Sequence, residues 1–149
     1  MLSKKAQYAI YALVYLAKEV DKGPVLIRDI AIHEKLPKKF LEAILLELKN
    51  TGVVNSKKGK GGGYYLRRGP AEVTLAEIIR HFDGAIALLP CATYKYYEHC
   101  QHCKDETICG VKYYIKEIRD ETVTMLKAIS LQDIIDREKE LEKQFKPDL

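Results

Sequence analysis

The segment VVNSKKGKGGGYYLRR, residues 53–68, constrains this chain more than any other. Two short β-type runs, 53–56 and 64–66, flank a tract built almost wholly of lysine and glycine. That pattern predicts an antiparallel hairpin with a basic tip whose backbone takes up positive φ. What precedes it is equally informative. KKFLEAILLELKNTG carries Leu41, Ile44, Leu45 and Leu48 at helical spacing and is closed by Gly52. The opposite face of that helix bears Lys38, Lys39, Glu42 and Lys49.

Two further helices lie upstream. Residues 4–19 are apolar on most sides, as expected of a helix covered by others, and DKGP at 21–24 ends it. VLIRDIAIHEKL forms a short second helix, followed by Pro37, a residue tolerated in a first helical turn. The opening residues resemble a signal peptide only superficially. Gln7 and three tyrosines interrupt the run, no small-x-small cleavage site follows, and the uncharged stretch 6–17 is too short to span a bilayer. The expectation is a buried helix in a cytoplasmic protein with no membrane partner.

Three helices followed by a basic hairpin outline a winged helix-turn-helix, whose third helix enters the major groove of double-stranded DNA. Charge agrees with this reading. Residues 1–70 hold 14 Lys and Arg against 6 Asp and Glu, whereas 71–149 hold 11 against 15. In this scheme Lys38, Lys39 and Lys49 meet phosphates and Glu42 accepts from a cytosine amino group. Lys57, Lys58 and Lys60 of the wing reach the backbone or minor groove, Gly59 permits close approach, and Lys4 and Lys5 add contacts from the first helix.

The second half is organised differently. TLAEIIRHFDG is a short helix capped by Thr74 with Glu77 three positions on. All four cysteines follow within residues 91–110, spaced Cys91-x8-Cys100-x2-Cys103-x5-Cys109. In a reducing compartment such thiols serve metal or redox chemistry rather than structural disulfides. Structural zinc sites usually show two close pairs, and only Cys100 and Cys103 form one. Iron–sulfur clusters accept looser loops, and Lys95, Lys104 and Lys112 nearby favour thiolates. Zinc and bare thiol switching remain as alternatives. Val111, Tyr114, Ile115, Ile118, Thr122, Met125, Leu126 and Ile129 then repeat at helical spacing, a stripe that calls for a partner helix. Ser130 with Asp133 restarts a last helix expected to be solvated and fraying. The expected domains are 1–70 (winged helix-turn-helix), 71–90 (connecting helix and loop), 91–110 (cysteine loop) and 111–149 (dimerisation and C-terminal helices).

VLIRDIAIHEKLPKKFLEAILLELKNTGVVNSKKGKGGGYYL, the wing GKGGGYYL, the opening LSKKAQYA and the later TLAEIIRHFDG resemble the IscR/NsrR/RirA-type (BadM-like) family of winged-helix iron–sulfur regulators, which includes CymR. The resemblance spans roughly residues 1–135. It implies a mainly α homodimer with a small β-hairpin wing, a cysteine loop and a long dimerisation helix. It also implies a 2Fe–2S or 4Fe–4S cluster whose state governs operator binding. Cys91, Cys103 and Cys109 match the family's three cysteines. The family's fourth ligand has no counterpart: the histidine position is Lys112, and KKAQYAIYAL, where other members carry an acidic ligand, has no acidic residue. Cys100 is the natural replacement, with Cys103 as spare in the converse arrangement and His99 and His102 as weaker candidates. The resemblance also places Lys39, Glu42, Lys58 and Gly59 at base-reading or bracing positions. An iron–sulfur electron-transfer protein with a basic docking domain is the alternative from another class. No enzyme or small-molecule substrate is expected: Ser3, Ser56 and Ser130 suit loops or caps, and His33 and His81 lie on ordinary helices.

Overall fold

A computed structural model describes residues 1–146, so the last three positions of the expected 111–149 segment lie outside the described residues. Three helices come first: α1 (Lys4–Lys18), α2 (Ile27–His33) and α3 (Lys38–Asn50). A hairpin of β1 (Val54–Lys57) and β2 (Gly63–Leu66) follows, then α4 (Leu75–Asp83), α5 (Gly110–Ala128) and α6 (Leu131–Phe145). Single 3-10 turns at Val20–Lys22, Pro70–Glu72, Pro90–Ala92 and Glu106–Ile108 punctuate the connections. The mainly helical winged helix-turn-helix expected from the sequence is present.

Each helix start has a local cause. Ser3 caps α1 by accepting from the Ala6 N–H at 3.0 Å. Thr74 does the same for α4 from Glu77 at 3.3 Å. Ser130 and Asp133 form a reciprocal capping box on α6. Pro37 stands one place earlier than expected, at the N-cap of α3. The turn before it carries Lys35 at φ +54°, a left-handed conformation in a non-glycine residue. Beyond Lys18, α1 continues as the 3-10 turn before Gly23 breaks the direction at φ +89°.

The hairpin pairs Val54 with Leu66 and Lys57 with Gly63. It also gains a third edge. Val25 exchanges two backbone hydrogen bonds with Tyr64, at 2.8 and 2.7 Å, which fastens the wing to the start of the helix-turn-helix. Gly63 is required by that seam, since a Cβ there would lie 2.3 Å from the Val25 carbonyl oxygen.

The core joins Leu13 and Leu16 of α1, Ile30 of α2, and Leu41, Ile44, Leu45 and Leu48 of α3 with Val54, Val73, Ile78 and Leu131, all but sealed from water. Leu131 and Ile135 correct the expectation of a solvated last helix at its first turns. The first turns of α6 are buried against α1, and Lys18 pairs with Glu138 across that contact. Only the distal half, with Leu141 and Phe145 exposed, is solvated as expected. Two backbone hydrogen bonds, Leu75 N–H to the Ile129 carbonyl (2.9 Å) and Leu131 N–H to the Val73 carbonyl (3.0 Å), join the starts of α4 and α6. The cysteine loop and α5 therefore leave the helical core at the end of α4, which packs on α1, and return to it at this clasp.

Candidate functional site

The core side of α3 is set by its buried leucines and isoleucine, which turns Lys38, Lys39 and Glu42 to solvent on the opposite face. Ala43 and Leu46 share that face and add an apolar strip to it. Lys49 is tied to the wing: its ammonium donates to Ser56 Oγ at 2.6 Å. Lys57, Lys58, Gly59 and Lys60 are exposed at the hairpin's end. There the chain turns so tightly that a Cβ on Gly62 would fall 2.2 Å from the Lys57 carbonyl oxygen. Lys4 is exposed at the start of α1. Lys5 is engaged within the protein instead. It pairs with Glu47 of α3 and lies 5.7 Å from the Phe82 ring centre, bracing α1, α3 and α4 together. Arg28 and Arg67, not singled out from the sequence, are also exposed on this basic half.

In the cysteine loop Cys91 is buried within the turn Pro90–Ala92, whereas Cys100, Cys103 and Cys109 are half-buried; all four are free thiols. Cys109 is the N-cap of α5, its sulfur accepting from the Lys112 N–H at 3.4 Å. That bond, helped by one from the Cys103 thiol, holds the Cys109 pKa below the usual thiol value. Burial raises Cys103, and its hydrogen bond to Cys109 raises it further. A turn closes between Cys100 and Cys103, whose N–H donates to the Cys100 carbonyl at 3.1 Å. Cys103 and Cys109 thus stand together, and the backbone of this turn links Cys100 to Cys103. Among the described residues no three His, Cys, Asp or Glu side chains converge as a ready-made metal site. As a donor set the loop still fits a thiophilic cluster. It offers four thiols, one already disposed to ionise, on a backbone whose only regular structure is two single turns.

Lys112, three residues after Cys109, is held by an ion pair. It donates to Glu106 at 2.5 Å, and Glu106 also accepts from the Tyr97 hydroxyl at 2.6 Å. Chiefly the Lys112 bond, then that of Tyr97, drives the Glu106 carboxyl down to about 2. The same bond raises Lys112, and hydrogen bonding to Glu106 raises Tyr97. His99 approaches Glu106 at 3.7 Å, while His102 is exposed. Sequence reasoning missed this cluster, and it missed Arg119, a buried cation on α5 that donates to the Ala92 carbonyl. A signal for Arg119 was available: it flanks the apolar stripe, and positions 115, 116, 122 and 123, one helical turn away, carry no acid.

Comparison with known proteins matches this architecture along nearly the whole chain. The family model for Rrf2, described as an iron-dependent transcriptional regulator, matches residues 2–137. An Rrf2-like HTH-type transcriptional regulator of Rhodobacter capsulatus is 36% identical over 138 residues, covering 91% of this chain and 92% of the relative. The solved structure of CymR, the global cysteine regulator of B. subtilis, superposes with a TM-score of 0.78 at 28% identity, covering 92% of this chain and 97% of that one. T. potens IscR gives 0.77 at 25% identity, covering 95% and 90%. These relatives are transcriptional regulators rather than enzymes, and the chain itself belongs to the Rrf2 family of DNA-binding transcriptional regulators.

Proposed function

We propose that this chain acts in the cytoplasm as a homodimeric regulator whose operator binding follows the state of an iron–sulfur cluster, 2Fe–2S or 4Fe–4S, at the cysteine loop. Cys91, Cys103 and Cys109 are its ligands, with Cys100 completing the set. Lys112 does not serve, because its ammonium is committed to Glu106. When bound, the cluster supplies a redox-active cross-link between thiolates. The reading rests above all on Cys109 being the N-cap of α5. Any change at that sulfur acts on the end of a helix whose other end is pinned to the helix-turn-helix at the Val73–Leu131 clasp.

On the DNA side, Lys38, Lys39, Lys57, Lys58 and Lys60 neutralise phosphates, with Lys4 and Lys49 at the margins. Glu42 selects cytosine, and Gly59 lets the wing tip approach the backbone. Lys5 contributes by holding α3 in register rather than by direct contact, as its pairing with Glu47 supports. The second copy lies along α5, where Val111, Tyr114, Ile118 and Met125 are all at least half exposed in one stripe. Two such stripes cover each other in an isologous dimer, giving two reading heads for a partly palindromic site. The switch requires the two α5 arrangements to bind DNA with different free energy, typically about 1–3 kcal/mol of coupling.

A second reading, a zinc-stabilised or thiol-switched regulator, is favoured by one observation: Cys103 and Cys109 are already hydrogen-bonded while Cys91 stands apart in its own turn. Anaerobic purification separates the two. Iron and sulfide with visible charge-transfer absorption, lost in Cys109→Ser together with a changed operator footprint, supports the cluster. Colourless protein with stoichiometric zinc, or with no metal and a reversible disulfide, sinks it.

A further inference from the structure

Of the nineteen residues of α5, the one that is buried is a cation, Arg119. Its side chain is 4% exposed, in a helix whose apolar side chains stand largely open. A guanidinium so enclosed is costly unless its nitrogens are partnered. Here each of the three nitrogens has an acceptor and one face of the plane is covered. One terminal nitrogen donates to the carbonyl of Ala92, itself fully buried. The Nε and the other terminal nitrogen donate to Asp120 Oδ1 at 2.9 and 2.6 Å. The Tyr94 ring covers the guanidinium plane with its centre 3.8 Å away, well inside the reach of a cation–π contact. Asp120 is the next residue on the same helix and so fixes the fork's direction. Ala92 and Tyr94 belong to the cysteine loop, one and three positions after Cys91.

We infer that Arg119 is a positioning residue of the sensor: it latches the entrance of the cysteine loop to the middle of α5 and so holds Cys91 in place for ligation. Its regulatory consequence rests on the cluster reading above; its structural part does not. The loop leaves α5's neighbourhood at the turn Pro90–Ala92 and rejoins the helix at Cys109, its N-cap. Arg119 lies ten residues past that cap, so the two attachments are about 15 Å apart along the axis at ~1.5 Å per residue. Between them residues 94–99 are all exposed, with Tyr97 on Glu106 as their side-chain anchor to the loop's far end. Fixing both ends of the loop shrinks the conformational space the four sulfurs must search to gather. Lysine is no substitute, since a single ammonium cannot bond the carbonyl, align on Asp120 and lie flat under a ring at once.

The test uses the full chain as Arg119→Met, which removes the charge yet keeps an apolar stem, and Arg119→Lys. In metal-free protein, the rate of N-ethylmaleimide addition to Cys91 is read by mass spectrometry against Cys100 in the same molecule. Cys91, now 7% exposed, should react about 10-fold faster relative to Cys100 in Arg119→Met, equivalent to ~1.4 kcal/mol of lost protection. Arg119→Lys should fall between. Anaerobic reconstitution should then yield less iron and sulfide per chain and a weaker visible spectrum, in the same order. Tyr94→Ala removes only the ring and keeps the test open should Arg119→Met fold poorly; it should raise Cys91 reactivity in the same direction. Unchanged relative reactivity of Cys91 in Arg119→Met, or in both Arg119→Lys and Tyr94→Ala where the Met variant does not fold, overturns the latch. Wild-type protein that takes up no iron or sulfide, while Cys91 still becomes reactive in the variants, overturns the cluster reading and leaves the latch standing.

Discussion

Replacing Leu131 by alanine tests whether α6 belongs to the core of the DNA-binding half. Leu131 is fully buried in the same cluster as Leu13, Ile30 and Leu45, although it lies more than eighty residues beyond them in sequence. A buried Leu→Ala change costs about 2–5 kcal/mol, the transfer of the lost methyl groups plus the cavity left behind. Taking ~3 kcal/mol and a urea dependence near 2 kcal/mol per molar, the unfolding midpoint should fall by about 1.5 M. Against a typical total of 5–15 kcal/mol this is a large fraction of the domain's stability. Leu141 supplies the control on the same helix, since it is 43% exposed and its truncation should cost less than ~0.5 kcal/mol. Far-ultraviolet circular dichroism in urea is the suitable assay, because the chain has no tryptophan. Both variants are compared at one protein concentration, so that association does not enter the difference. If Leu131→Ala shifts the midpoint no more than Leu141→Ala, the packing of α6 on α1 is not what holds this half together.

Ile118→Glu should separate the proposed dimer: it would act twice across a two-fold interface, lose about 1 kcal/mol of burial per copy and add a buried charge, so Kd should rise at least ~100-fold. Sedimentation at several concentrations reads this, and an unchanged mass at the lowest would refute it. Gly63→Ala should free the wing, since its Cβ meets the Val25 carbonyl; the Tyr64 amide should then lose hydrogen-exchange protection while α1 amides keep theirs. Lys35→Gly should stabilise by about 0.5–1 kcal/mol, the relief of a left-handed side chain outweighing the added chain entropy, whereas Lys35→Val should destabilise in the same denaturation assay. Asp133 is held below the usual carboxylate range by its hydrogen bonds with Ser130. It therefore contributes stability above about pH 3.9 that disappears as the pH falls through its lower folded value. Asp133→Asn should flatten that part of the pH–stability curve, and an unaltered slope would assign the acid sensitivity elsewhere.

Much of the fold was legible because it is written in short-range patterns. The spacing of Leu41, Ile44, Leu45 and Leu48, the caps at Thr74 and Ser130, and the glycine-rich tip each specify structure within a few residues. The apolar stripe of α5 was legible for the same reason, as was the crowding of sulfur into one loop. What escaped depends on partners far apart in sequence. Val25 reads as a helix flank, yet it borders the wing through Tyr64. Leu131 and Ile135 are only two apolar positions ahead of a charged run, too sparse a signal to reveal that α1 covers them. Lys5 looked like any exposed cation until the fold placed Glu47 beside it. At the candidate sensor the ligand types were visible but not their company. Lys112 and Glu106 are six residues apart across a turn, and Arg119 and Ala92 are 27 apart.

The pair of backbone bonds between 73–75 and 129–131 has an evolutionary consequence. The cysteine loop departs from the end of α4, which is packed on α1, and α5 brings the chain back to these bonds, so the loop can lengthen between two fixed ends. Doubling a flexible loop costs only about 0.6 kcal/mol of closure entropy. Lengthening the cysteine-bearing turn, or adding a sulfur such as Cys100, therefore leaves the geometry of the DNA-reading half intact. A DNA-binding regulator built this way can vary its cysteine loop while keeping the grip with which it reads its sites.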